Sequence, residues 1–534
     1  LSHGGQPPIT ITIDDRPRIY RVLVPPSATP LGGLTVDLQS GTVTAPPDMR
    51  PLGLRFEAAT LDALAPSGLV WPAPAQALVS LLLLPVGALL LWRLQLPMRA
   101  IVAAITLAGV ALAAVYHRQQ LLTDSYVLRL LVALVVLTAA TYWLLPIVER
   151  LGAWLAPPSL MRMLWALTAL ACMIRLAGAL YPAFDAFDLA LNVDRLLKTL
   201  GGTLVITKRS IEFRNGITIY PPGPYVVLLP GLLLGLAPKL LVQAGIAIID
   251  GCGALTTGLL ARALGASGRA AILSALIYAA APISLTALWW GLSAQAFGQA
   301  LMSPLALTIL LALRRPRPRN WASVGLLFSM ALLTHIGVAI LAVVWLGLAW
   351  LALRLRGTTR PALWWRLTLV LAIGGLFSFA LIYIDVVGLK LQQMYEVGEK
   401  VQTSGYVPAY SLIARGFLIA FDPLGLFLLP AGLLLLWRRR LPHGGAELIG
   451  AWVGAVVLFW AIEMYSGLQV RYIYFLTPLA CIMIGALLDR LAPRGVVARR
   501  VAWAVALLLL TQGSVYWLTS ALTGVQMSMV PLLR

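Results

Sequence analysis

From Ala75 onward one pattern repeats: an apolar run of about 16–25 residues, a short polar break, then another run. The runs lie near 76–92, 100–116, 127–147, 162–182, 222–238, 240–261, 270–289, 296–313, 321–337, 338–354, 366–386, 411–437, 446–465, 472–490 and 500–520. At a rise of roughly 1.5 Å per residue, each can span roughly 30 Å of hydrocarbon as a helix. Lipid offers the backbone no hydrogen-bond partner, so such runs must satisfy their own peptide groups as helices. Composition agrees, with 60% hydrophobic and 11% charged residues; soluble domains sit near 45–50% and about 25%. The expected class is a polytopic α-helical membrane protein with about 13–15 apolar segments, carrying a small N-terminal β domain.

The formal net charge of +20 comes mainly from arginines clustered at the ends of apolar runs. That placement suits the positive-inside rule and anionic lipid headgroups rather than nucleic acid. The blocks Arg314, Arg315, Arg317 and Arg319; Arg354, Arg356, Arg360 and Arg366; Arg438 to Arg440; and Arg490, Arg494, Arg499 and Arg500 are expected on the cytoplasmic side, as are Arg93, Arg99, Arg150 and Arg162. The segments 183–220 and 387–410 then face outward, in a multi-pass protein of the plasma (cytoplasmic) membrane. Four apolar runs separate the first outward loop from the Arg314 block, where an odd number of crossings is needed. The Pro- and Gly-heavy run 222–238 is the candidate for a re-entrant or short segment. Cys172, Cys252 and Cys481 sit inside apolar runs without ligand-like spacing, which argues against a structural disulfide or zinc site.

Residues 1–70 read as an extracytoplasmic β-rich domain. ITITIDD, RIYRVLV, GLTVDLQ and LGLRFEAATL alternate in the strand manner, separated by turns such as PPSATPLGG and APPDMRP. The chain starts at Leu1 with few strands to close a core, the expected mark of a processed or incomplete N-terminus. Residues 76–160 supply three helices, 161–490 the main transmembrane module, and 491–534 a last helix and tail.

The loop from Tyr181 to Tyr225 is the most polar part of that module, holding Asp185, Asp188, Asp194, Arg195, Lys198, Lys208, Arg209, Glu212 and Arg214. Loops of this length between helices tend to be functional. On a helix, Asp185 and Asp188 would share one face, and a carboxylate there can serve as a general base within about 3 Å of a hydroxyl proton. The bland reading is a solvated interfacial loop.

The order Arg175, Tyr181-Pro182, Asp185, Asp188, then Tyr220-Pro221-Pro222 resembles the opening module of the GT-C membrane glycosyltransferases. LLTHIGVAIL around His335 and RYIYFLTP from Arg471 resemble later elements. The resemblance covers roughly 160–490 and implies an outward-loop acid as base, with a sugar on a polyprenyl phosphate as donor. Carried over, Asp188 becomes the base, and Asp185 or Glu212 positions the acceptor or a divalent metal. Tyr220 joins the substrate-binding set. One departure is Asn192, one helical turn after Asp188, where such enzymes often carry a histidine after the acid or a directly adjacent acidic pair.

Arg471 opens an apolar helix near Glu463. Its guanidinium suits phosphate oxygens, or the two residues form an ion pair that pins two helices. Lys208, Arg209 and Arg195 are weaker phosphate candidates, equally explained as snorkelling cations. In WWGLSAQAFGQ, Trp289 and Trp290 suit sugar stacking or an interfacial aromatic belt, and Gln295 and Gln299 suit sugar hydroxyls. His335 reads as a substrate contact or a structural hydrogen-bonder. Asp250, at membrane depth, requires a partner or a cavity.

The expected function is sugar transfer to a glycan, lipid or protein acceptor, with membrane lipids around the chain and no nucleic acid. Two rivals are a lipid-linked glycan transporter or flippase, which calls for charges at mid-membrane on several helices and repeat symmetry, and a surface polysaccharide polymerase or ligase.

Overall fold

The structure is a computed structural model and describes residues 43–45, 48–52, 74–118, 120–210, 216–357, 359–384, 424–436, 438, 441–466 and 470–525. These fall into two compact units, one of residues 1–92 with 96–138, the other of residues 93–95 with 139–534.

In the first unit, β1 (Val43–Ala45) and β2 (Asp48–Leu52) pair antiparallel, Val43 opposite Leu52 and Ala45 opposite Asp48. Residues 48–51 of APPDMRP, expected as turn, are therefore strand. Pro51 is tolerated because each strand of a two-stranded ribbon has a free edge. The remainder of the expected β domain, 1–42 and 53–73, lies outside the described residues. Two helices follow, α1 (Pro74–Arg93) and α2 (Met98–Arg118), and the long α3 (Gln120–Gly152) begins here. Leu81, Val102, Leu107 and Val110 are exposed along them, an apolar surface suited to lipid.

The second unit is a helical bundle. It holds α4 (Pro158–Ala179), α5 (Leu189–Leu200), α6 (Gly223–Leu233), α7 (Pro238–Ala263), α8 (Gly268–Ala279), α9 (Pro282–Trp289), α10 (Ser293–Ala300), α11 (Met302–Arg314), α12 (Pro318–Leu332), α13 (Ile336–Leu355) and α14 (Pro361–Ser378). The helices Leu424–Leu436, Gly445–Ser466, Thr477–Leu491 and Val496–Thr523 complete it. Among the described residues, nine helices are long and apolar enough to cross a membrane. Helices α4, α7, α8 and Thr477–Leu491 pack together as the core. The outer helix α14 leaves Trp365, Leu369, Ile373 and Leu376 exposed.

Runs alternate between two ends. The arginine end gathers the blocks Arg314–Arg319, Arg354–Arg366 and Arg490–Arg500, with Arg269 bonded to Asp489 at 3.0 Å and Arg162 to Glu149 at 2.7 Å. The opposite, loop end carries residues 180–210 and 216–222. The crossing count closes at α6. This eleven-residue helix starts beside Leu333, whose carbonyl accepts from Gly223, at the loop end of α12. The next helix, α7, also starts at the loop end, because Lys239 pairs with Asp185 and the Gln243 amide donates to the Phe184 carbonyl at 3.2 Å. Helix α6 therefore does not cross, which leaves three crossings before Arg314.

Two apolar runs that read as single helices are broken. Pro282 ends α8 and opens α9, and the run through 296–313 divides between Ala300 and Met302. A proline lacks the N–H that would continue the ladder. Inside the bundle, Asp250 on α7 meets Arg175 on α4 at 2.6 Å, with both side chains 0% exposed.

Candidate functional site at the loop end

Helix α5 is amphipathic. Leu189, Asn192, Leu196 and Thr199 face inward at helical spacing, and Asp194 and Lys198 form an exposed pair on the other side. Asp188 is the N-cap residue, but its carboxylate makes no capping bond to the helix. A negative charge is favoured there by the helix dipole. Asp188 and Arg195, seven residues apart, share a face of α5 and are both half-buried.

The backbone around Asp188 is pinned by the turn between α9 and α10. The Phe187 and Asp188 N–H groups donate to the Trp289 and Trp290 carbonyls at 3.1 and 3.0 Å. Gly291 makes this approach possible. Its φ is +69°, and a Cβ there would stand 2.9 Å from the Asp188 nitrogen. Asn192 fastens the arrangement. Its Nδ2 donates to the Asp188 and Gly291 carbonyls, both at 2.8 Å, and its Oδ1 accepts from the Tyr225 hydroxyl at 2.8 Å. Burial holds the Tyr225 phenol above its ordinary range, with the Arg195 guanidinium opposing and the Asp188 charge adding to the shift. Tyr225 thus stays a donor, and its hydroxyl lies within electrostatic reach of both charges.

A hairpin of β3 (Ile206–Ser210) and β4 (Gly216–Tyr220) leads Tyr220 back over α5, where the Arg195 guanidinium lies 3.5 Å from its ring centroid. Phe187, 76% exposed, meets Trp290 edge-on at 5.5 Å. A small crevice next to this cluster is lined by Phe184, Ala186, Leu189, Gly291 and Trp517 among others, with no carboxylate in its wall.

The other expected residues separate into groups. Residues 184–186 are irregular chain rather than helix, so Asp185 and Asp188 do not share a helical face; Asp185 is exposed and paired with Lys239. Gln299 is 2% exposed and donates to the Phe475 carbonyl at 3.2 Å, which also accepts from Trp452 at 2.9 Å. Gln295 is buried on the same short helix. His335 caps α13, its Nδ1 accepting from the Gly337 N–H at 3.1 Å. Glu212 lies outside the described residues, as do the side chains of Glu463 and Arg471; the backbone of Arg471 belongs to a 3₁₀ helix, Val470–Leu476. Among the described residues no three His, Cys, Asp or Glu side chains cluster as a metal site. Tyr225, Lys239 and the anchoring by Asn192 were missed from sequence. The only hint was Asn192 standing one turn after Asp188.

No family model matches the chain, and no curated protein does. Among solved structures, it is similar to ArnT from Cupriavidus metallidurans bound to undecaprenyl phosphate, at 17% identity and TM-score 0.47 over 64% of this chain and 62% of that one. The apo state of ArnT gives 18%, 0.41, 64% and 61%. The arabinofuranosyltransferase AftD from Mycobacteria gives 19%, 0.44, 68% and 27%. The chain thus spans about six-tenths of the ArnT structures and about a quarter of AftD. At these TM-scores no residue role is carried across.

Proposed function

We propose that the chain is a membrane glycosyltransferase of GT-C kind, moving a sugar from a polyprenyl-phosphate carrier to an acceptor hydroxyl on the outward side. The observation that carries this reading is the loop-end cluster. A carboxylate and a guanidinium share one helical face, the acid's backbone is anchored by the Trp289–Gly291 turn, and aromatic surface lies beside it.

In this reading Asp188 takes the proton of the acceptor hydroxyl as its oxygen attacks the anomeric carbon. The bond from that carbon to the phosphate oxygen breaks, with inversion, and the phosphate leaves as an anion that needs little protonation. Arg195 replaces Arg471 as the favoured partner of the phosphate, since its guanidinium is held on the Tyr220 ring. Asp185 and Glu212 remain proposals for the acceptor or a divalent metal. The carrier's tail requires lipid while the sugar requires water, and the loop end of an apolar bundle meets both needs. A transporter would need an open polar pathway, whereas the Arg175–Asp250 pair is closed on all sides by protein.

The test incubates purified protein with radiolabelled polyprenyl-phosphate sugars and candidate acceptors. Asp188→Asn should lower transfer by about 10²–10⁴-fold with folding intact. Equal transfer by wild type and variant would remove Asp188 from the role. Failure of the wild-type chain with every donor would count against the enzyme reading.

A further inference from the structure

The α8–α9 break lies in the bundle interior, where carbonyls freed from the helical ladder have no water to turn to. One of them belongs to Ala279; the Tyr278 carbonyl beside it accepts from the Ala281 N–H at 3.2 Å. Arg175 reaches across from α4 to both, Nη1 to the Ala279 oxygen at 2.6 Å and Nη2 to the Tyr278 oxygen at 3.3 Å, while Nη1 also meets its own helix at the Ala171 carbonyl. Its Nε binds Asp250 at 2.6 Å, and the other oxygen of Asp250 accepts from the Tyr278 and Tyr474 hydroxyls at 3.1 and 3.2 Å. On the far side of the break, the Ala280 carbonyl presses against Gly513 of the helix Val496–Thr523, at a distance where any Cβ on residue 513 would overlap it.

The break is therefore gripped from both sides. Beyond it, α9 runs only eight residues, about 12 Å, to the two tryptophan carbonyls that hold the Phe187 and Asp188 N–H groups. A change of direction at Pro282 must reappear as a displacement at Asp188.

We propose that Arg175 and Asp250 are positioning residues for the loop-end site: by capping the broken helix they set the direction of α9 and so the placement of the acid. The inference rests on the reading of Asp188 as the base. It gives the intramembrane charges a task other than bare stability, and an apolar replacement separates the two. Exchanging a buried ion pair for apolar side chains of similar volume is often neutral for stability. A purely structural pair can thus be replaced without loss of function, whereas a positioning pair cannot.

The experiment compares wild type with Arg175→Met/Asp250→Leu in two assays. One is steady-state sugar transfer. The other needs no activity: in chains with the three native cysteines changed to Ala, Phe187→Cys and Trp290→Cys are introduced and their oxidative cross-linking is measured, reporting how the turn sits on the acid loop. The double variant is expected to fold with a lowered thermal midpoint, because the Ala279 carbonyl and the Tyr278 and Tyr474 hydroxyls lose a partner; at a temperature where it is folded it should lose about tenfold to a hundredfold in kcat with KM for the donor little changed, and cross-link less. Arg175→Lys, which keeps the charge but cannot span both carbonyls, should fall between. If Arg175→Met/Asp250→Leu does not fold, Gly513→Ala replaces it, since it displaces the Ala280 carbonyl with every charge intact; the same losses are expected. A folded variant with wild-type kcat and cross-linking would overturn the inference. Should Asp188→Asn prove fully active, the base assignment fails, and the cross-linking result still decides whether the break sets the turn.

Discussion

Arg175 and Asp250 meet inside the bundle with neither side chain exposed, whereas Asp188 and Arg195 lie on one face of α5 at its loop end, each half-buried. The two arrangements use the same functional groups. At depth, the guanidinium and carboxylate are met by each other, three backbone carbonyls and two tyrosine hydroxyls. At the loop end, protein bonds fix the backbone of Asp188 through Trp290 and Asn192, and Arg195 rests on an aromatic ring. A charge in hydrocarbon must be enclosed to be tolerated, while one at the boundary can be held in place and still meet a substrate. Depth decides which Asp–Arg set is enclosed by protein and which stays within reach of solvent.

The contrast can be broken most sharply at Asp188. Asparagine there should remove about 10²–10⁴-fold of transfer while leaving the thermal midpoint in detergent near wild type; a large loss of stability instead would place Asp188 with the scaffold. Asp250→Ala should instead act on stability, destabilising by about 3–5 kcal/mol through the buried guanidinium it strands, with any loss of transfer by the folded variant arising through the placement of Asp188. Thermal or denaturant unfolding in detergent measures this, and a negligible effect would dissolve the distinction.

Smaller effects sharpen it. Asn192→Ala leaves the buried Tyr225 hydroxyl without its acceptor, while the Gly291 carbonyl keeps the Ser293 N–H, at a cost of about 1–3 kcal/mol. Because the same amide anchors Asp188, transfer should fall with it, as steady-state rates at a temperature where the variant is folded will read. Gly291→Ala forces a side chain into a left-handed conformation and against the Asp188 nitrogen, for about 1–3 kcal/mol and a lower kcat. The exposed Asp185–Lys239 pair should matter least to stability. Asp185→Ala is expected to cost less than about 1 kcal/mol, so any large drop in transfer by that variant would speak for a direct role of its carboxylate.

Much of the bundle was legible because its signal is local. Apolar runs announce helices, and arginines mark one set of ends; even the non-crossing α6 was foreshadowed by proline, glycine and an odd-number requirement. The loop carrying Asp188 stood out because charge is scarce elsewhere. What could not be read were pairings across long stretches of chain. Asp250 demanded a partner, but nothing periodic designates Arg175, 75 residues earlier. Gln299 looked like a sugar contact by residue type, yet the 3₁₀ turn through Phe475, 176 residues later, claims its amide. Asp185 and Asp188, three apart, invited a helical reading; the chain is irregular at Asp185 and enters the helix only at Asp188, whose N–H is held by Trp290. The Trp289–Gly291 turn was judged by its aromatics, while its backbone carbonyls make the contact.

Asp250 also bears on how such a chain can drift over generations. One carboxylate ties together side chains from α4, α8 and the segment that begins near Arg471, so losing it alone strands a cation in oil, and losing Arg175 alone strands an anion. Neither single step is an easy stopping place. In sequences descended from a common ancestor with this one, the two positions should change as a couple or hold as a couple, with Tyr278 and Tyr474 free to become phenylalanine only where the acid has already gone.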